Sequence, residues 1–257
     1  MKVVIFAGGK GTRISEESHL KPKPMIEIGG MPILWHIMKN YAAYGHQEFI
    51  VCLGYKGYMI KEYFLNYFIH NSDVTVNLKD NQVEVHKSSS ETFKVTLVET
   101  GLDTMTAGRL KRVEQYIDED NFMLTYGDGV SDIDIKALTD FHTENSKLCT
   151  MSVIQPGSRF GVIDMHESGV VTEFREKPTE DGTWINGGFF VLNKAVFSYL
   201  KDNADEIMWE RQPLEDLAKD GQLITRKHHG FWKCMDTLRD REDLEQLWSD
   251  SPKWKNW

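Results

Sequence analysis

Apolar residues fall into two spacings along this chain, and the alternation between them predicts its architecture. Short continuous apolar runs at 3–7, 49–53, 122–126 and 150–154 end in glycine or polar residues, as strands covered on both faces do. Between them the spacing turns helical. Pro32 opens a pattern of Ile33, Leu34, Ile37, Met38 and Tyr41 that Gly45 stops. Ile60, Phe64 and Phe68 at i, i+4 and i+8 predict a second helix over 58–68, and residues 106–117 and 135–145 predict two more. Residues 73–99 read as short strands separated by polar turns. Such strand–helix alternation predicts a mostly parallel sheet with helices on both faces.

The texture changes after Pro156. Residues 160–165 and 170–174 predict a hairpin, 187–192 and 223–227 predict strands, and 195–200, 213–219 and 238–248 predict helices. No repeat, low-complexity tract or flexible linker interrupts the sequence. The expectation is one α/β domain over 1–257, Rossmann-like, with 1–155 and 156–257 as its halves.

Composition narrows the partners. The 257 residues hold 30 Lys+Arg against 39 Asp+Glu, a net charge of −9, with 40% hydrophobic residues. That balance describes a globular chain and argues against a general binder of nucleic acid or anionic membrane, which needs surplus positive charge. No apolar run approaches the ~18–20 residues of a membrane span. The apolar N-terminal run is too short for a signal peptide. Cys52, Cys149 and Cys234 lie far apart without CxxC spacing, which reads as reduced thiols in the cytoplasm, with neither a disulfide frame nor a zinc site.

Candidate chemistry begins at Ala7-Gly8-Gly9-Lys10-Gly11-Thr12-Arg13, directly after the first strand. Glycines there let backbone N–H groups approach phosphate oxygens. A P-loop needs GxxxxGK followed by Ser or Thr, which is absent, and the GxGxxG dinucleotide fingerprint fails because Ile14 stands at its last glycine. Arg13 follows the glycines, and Lys21-Pro22-Lys23-Pro24 comes ten residues later. The two prolines predict that Lys23 is presented by a stiff extended segment. A fixed lysine and a forked arginine beside inward N–H groups suit a polyphosphate. Without the glycine loop, the same lysines would read as solvated.

The string FAGGKGTR, then seven residues, then KPKPMIEIGGMPILWHIM resembles the signature of the sugar-1-phosphate nucleotidyltransferases, a family with a GT-A-like α/β fold. Residues 15–24, SEESHLKPKP, resemble the cytidylyl branch, whose substrates are CTP and glucose 1-phosphate. The resemblance implies that Ala7, Gly8, Gly9, Lys10, Gly11 and Thr12 wrap the nucleotide, while Arg13 and Lys23 neutralise its triphosphate. It implies a base-and-ribose strip over residues 103–109, with Thr104, Thr106, Gly108 and Arg109 as contacts, Arg109 a candidate for cytosine. Asp128, in Tyr126-Gly127-Asp128-Gly129, and Asp236, in Trp232-Lys233-Cys234-Met235-Asp236, are implied to hold Mg²⁺. Gly161, Glu176, Lys177, Asn186 and Gly187 are implied to bind the sugar phosphate. A homo-oligomer, trimer-based or hexameric, is implied as well. The alternatives are uridylyl or thymidylyl transfer, or a non-catalytic nucleotide-sugar-binding module, which would be expected to lack one of the charged residues retained here.

Other residues are assigned plain roles. Asp132 reads as a helix cap. His228 and His229 point to opposite faces of a strand and make no metal pair. Trp248, Trp254 and Trp257 crowd a tail expected to dock on the body or a neighbouring subunit. Trp209 and Glu210 are placed near a pocket wall by position alone.

Overall fold

The first apolar run is continuous because both faces of its strand are covered. In the computed structural model, Val3 and Ile5 enter one core layer and Val4 and Phe6 the other. The structure describes residues 1–156, 162–165, 171–175 and 183–257, with side chains except at 15, 16, 162–165 and 171–175. Seven strands form the main sheet: β1 (Val3–Phe6), β2 (Glu48–Leu53), β3 (Lys94–Glu99), β4 (Asn121–Tyr126), β5 (Cys149–Ile154), β6 (Ile185–Asn193) and β7 (Leu223–His228). Their order is β7-β5-β6-β4-β1-β2-β3. β1 pairs parallel with β2 and β4, β2 with β3, and β5 with β7. β6 runs antiparallel to both of its neighbours. The mostly parallel expectation holds, and the sheet draws strands from both halves of the chain.

Helices α1 (Ile33–Ala43), α2 (Gly57–His70), α3 (Thr106–Val113), α4 (Ile135–Asn145), α5 (Gln212–Lys219) and α6 (Leu238–Asp250) cover the sheet. Ile33, Ile37, Ile60, Leu138 and Leu244 of α1, α2, α4 and α6 pack with Val3 and Ile5. Leu110 of α3 and Leu214 and Leu217 of α5 pack with Val4 and Phe6. The segment expected as a helix at 195–200 is a 3₁₀ helix, Lys194–Tyr199, and α3 tightens into a 3₁₀ turn at Glu114–Tyr116. The strands of the expected late hairpin are Val162–Met165 and Val171–Arg175. Another hairpin, Ser72–Asn77 with Gln82–Ser88, stands apart from the main sheet.

Two assignments change. The cap of α4 is Asp134, which accepts from the Ala137 amide at 2.9 Å, because its carboxylate reaches the open first turn. Asp132 lies two residues earlier and instead faces His228 Nε2 at 3.0 Å. The tail docks on the body as expected, with Trp254 buried beside His36 and Phe231. Among the described residues no helix is long and apolar enough to cross a membrane.

Candidate active site

β1 lies between β4 and β2, which return from it in opposite directions along the sheet. Open α/β sheets bind ligands beyond the carboxyl ends of strands at such a switch. The glycine loop leaves β1 there, and Gly127-Asp128 leaves β4 beside it. Gly11 adopts φ +63°, which an L side chain rarely takes. Ile14, the residue that breaks the dinucleotide fingerprint, is wholly buried and anchors the far end of the loop.

The loop faces a centre of paired charges. Lys23 Nζ donates to Asp128 Oδ2 at 2.6 Å and to Asp236 Oδ1 at 2.7 Å, while Arg13 Nη1 donates to Asp236 Oδ2 at 2.6 Å. Lys23 opens a 3₁₀ turn, Lys23–Met25, with Pro22 before it extended, so its presentation is tighter than the prolines alone suggest. A two-stranded ladder, Gly129–Ser131 with Trp232–Cys234, carries Asp236 across 108 residues of sequence to Asp128, and the Met235 amide donates to the Asp128 carbonyl at 2.8 Å.

Burial alone would lower the Lys23 pKa, but the charges and hydrogen bonds of Asp128 and Asp236 outweigh it and hold the amine above its ordinary value. Asp236 has the mirror balance. Burial raises its pKa, and Lys23 and Arg13 together pull it below the usual carboxylate range. The Cys234 thiol is pushed up to about 12 by burial and by the two aspartates, so it stays a neutral neighbour of Asp236. Arg13, Lys23, Asp128 and Asp236 thus converge at one point, on the wall of a cleft of about 500 Å³.

Residues 6–14 and 102–106 line the remainder of that cleft together with Arg109, Tyr126 and Met208. Lys10 reaches across its mouth to Asp103 at 2.8 Å. Thr104 and Thr106 line it as expected, but Gly108 does not. A Cβ at 108 would stand 2.4 Å from Asp205 Oδ1, so the glycine is required by packing against a neighbouring 3₁₀ turn, Ala204–Glu206.

Arg109, the candidate contact to cytosine, lines the cleft but is only 5% exposed: its guanidinium donates to the carbonyls of Leu53, Gly101 and Gly8 at 3.0, 2.9 and 3.1 Å and to Thr100 Oγ1 at 2.8 Å. It therefore fastens the glycine loop to the ends of β2 and β3. A Cβ on Gly8 would collide with it at 2.1 Å.

On the β6 side, Asn186 Nδ2 donates to Tyr126 Oη at 3.3 Å, and Gly187 is buried with its carbonyl accepting from Trp232 Nε1 at 2.7 Å. Gly161, Glu176 and Lys177 lie outside the described residues. Tyr126 and Glu210 form a hydrogen-bonded pair, which no sequence pattern joins. The available signals were Tyr126 at the end of an apolar strand, just before Gly127-Asp128, and the position of Glu210 near a pocket wall. Among the described residues no three or more His, Cys, Asp or Glu side chains cluster as a metal site. Asp128 and Asp236 are a pair of hard oxygen donors held together by a shared cation.

The model of the nucleotidyl transferase family matches residues 2–250. Glucose-1-phosphate cytidylyltransferase of Salmonella typhi is 55% identical over 259 residues, covering all of both chains, and so is that of Salmonella typhimurium. A UDP-glucose pyrophosphorylase, solved with UDP-glucose, shares the fold with a TM-score of 0.67 at 18% identity, over 96% of this chain and 98% of that one. With its sheet, its loop and its matched length in agreement, the chain belongs to the nucleotidyl transferase family.

Proposed function

We propose that this nucleotidyltransferase moves the cytidylyl group of CTP to α-D-glucose 1-phosphate, giving CDP-glucose and pyrophosphate. The observation that carries this reading is the junction of Lys23 with Asp128 and Asp236 inside the glycine-lined cleft. Full-length identity of 55% to glucose-1-phosphate cytidylyltransferases supports the choice of substrates.

A phosphate oxygen of the sugar attacks the α-phosphorus of CTP, the bond from that phosphorus to the bridging oxygen breaks, and pyrophosphate leaves on the opposite side. A phosphate monoester loses its second proton near pH ~6 and needs no base to become the nucleophile. The obstacle is repulsion between two anions. Arg13 and Lys23 offset it with fixed positive charge, the loop amides orient the phosphates, and Lys177 is assigned to the sugar phosphate by resemblance. Glu176, Gly161, Asn186 and Gly187 are assigned to the sugar in the same way.

Mg²⁺ fits the donors present. It favours one or two carboxylates with phosphate oxygens and water, and Asp128 and Asp236 supply two carboxylates already drawn to one cation, Lys23. When bound there, the ion would add charge against the growing negative charge of transfer.

The finer partner expectations belong to the same reading. The chain acts in a reducing cytoplasm on small molecules, without nucleic acid or membrane, and its three cysteines are free thiols. Strands from both halves in one sheet support a single domain over 1–257.

The chain further assembles with copies of itself, in a trimer-based or hexameric form. Val76, Leu78, Val83 and Val85 of the projecting hairpin and Leu65, Phe68 and Ile69 of α2 are exposed. The hairpin segment 72–88 has two Lys against three acidic residues, a net charge of −1 in a chain of −9.

Pyrophosphate release, measured with CTP, UTP and dTTP against several sugar 1-phosphates, tests the reaction. Fastest release with CTP and glucose 1-phosphate is expected. Release favouring another nucleotide would move the chain to a different branch, and none with any pair would favour a binding module.

A further inference from the structure

Glu210 lies in the turn before α5 and belongs to no motif of the sequence, yet it holds together the wall of the cleft. Its Oε1 accepts from the Tyr126 hydroxyl, and its Oε2 accepts from Thr106 Oγ1 at 2.7 Å. Thr106 Oγ1 accepts in turn from the Trp209 amide at 2.8 Å, so the carboxylate cannot swing away without breaking a closed set of bonds.

The Tyr126 hydroxyl has one proton, and it donates that proton in its hydrogen bond to Glu210. Towards Asn186 that hydroxyl can only accept, so the Asn186 amide must turn its NH₂ to it, as it does at 3.3 Å. The Gly188 amide donates to Asn186 Oδ1 at 2.8 Å and fixes the other end. A side-chain amide offers two N–H groups and a carbonyl with two lone pairs. Among the described residues one N–H and one lone pair therefore remain, at defined places, for a ligand hydroxyl.

We propose that Glu210 is a positioning residue: through Tyr126 it sets which end of the Asn186 amide donates and which accepts at the sugar. The inference rests on the reading of Asn186 as a sugar contact. Tyr126 is the last residue of β4, packed on Phe6 and Phe190, so the phenol is set by the rigid sheet.

Steady-state kinetics of Glu210→Gln, Tyr126→Phe, their double variant and Asn186→Ala test it, with glucose 1-phosphate and with its monodeoxy analogues. Glu210→Gln and Tyr126→Phe should each raise the KM for glucose 1-phosphate about 5–30-fold, the loss of one or two oriented hydrogen bonds, with CTP KM and kcat nearly unchanged. The double variant should be no worse than the more damaged single, because both changes act on one amide. One deoxy analogue should be penalised by the unmodified enzyme and no longer by the variants.

If Asn186→Ala leaves the sugar KM unchanged, the reading of Asn186 fails and takes the proposal with it. If Asn186→Ala raises that KM while Glu210→Gln and Tyr126→Phe do not, only the positioning role fails. Equal rises in the KM of both substrates would mean general loosening of the wall, and would overturn the proposal.

Discussion

Two buried cations, Lys23 and Arg109, are set to opposite uses by what surrounds them. Lys23 meets two carboxylates across the cleft, and Arg109 meets backbone carbonyls in the wall behind it. Lys23→Ala should therefore leave the fold intact and lower turnover by about 10²–10³-fold, the usual effect of removing one electrostatic contact to a transition state. Arg109→Lys should do the reverse. A lysine keeps the charge but cannot serve carbonyls on three segments, and stranding even one of them costs on the order of 1–3 kcal/mol in urea unfolding. kcat should change little and the CTP KM should rise as the glycine loop loosens. Near-full activity in Lys23→Ala, or unchanged stability in Arg109→Lys, would reverse these roles. Sequence alone distinguished them poorly. Lys23 was legible because Pro22, Pro24 and the glycine loop frame it. Arg109 was not, because a basic residue beside Lys111 and Arg112 on a helix carries no mark of burial, and its partners are carbonyls, which no sequence pattern identifies.

At the scale of elements, the strands were read well and the polar junctions less so. Continuous apolar runs located β1, β2, β4 and β5 because burial on both faces is a property of the run itself. The α4 cap was misplaced from Asp134 to Asp132 because two acids two residues apart look alike until the first turn is built. The aromatic tail was legible as a docking segment, but its partner was not. His36 on α1 passes its Nε2 hydrogen to the Ile28 carbonyl at 2.8 Å, and its Nδ1 accepts from Trp254 Nε1 at 3.4 Å. Both nitrogens are used by the neutral ring, and burial lowers its pKa, as it also does for His46 and His142. An unfolded histidine takes up its proton near pH ~6.5, so below that the unfolded state binds more protons and stability falls. The thermal midpoint should drop between pH 7.5 and pH 5.5. The drop should shrink in His36→Gln, whose amide can donate and accept without titrating. A midpoint that is flat or rises towards pH 5.5 would contradict this account.

For the whole molecule, the sheet and the projecting hairpin make different demands. The sheet closes its core on both faces and gathers the charged centre from segments as distant as Arg13 and Asp236. Among the described residues the hairpin has no such cover. Across its strands Val76 pairs with Val83 and Val74 with Val85, which puts four valines on one side, while Thr75 and Glu84 pair on the other. Two strands alone are marginally stable in water, so an uncovered valine face is a cost that a partner surface would remove. Phe68 shares the helical spacing of Ile60 and Phe64, and Ile60 is fully buried. Yet α2 leaves Phe68 half exposed beside Leu65 and Ile69, where the same partner would cover it. Val76→Asp with Val83→Asp puts two like charges side by side on that face without touching the cleft. Light scattering should show an assembly of several chains for the unmodified protein and single chains for the double variant, with the circular dichroism of the sheet retained. An unmodified protein that is already monomeric would end the assembly reading. A double variant that keeps the full assembly mass would move the interface away from the hairpin.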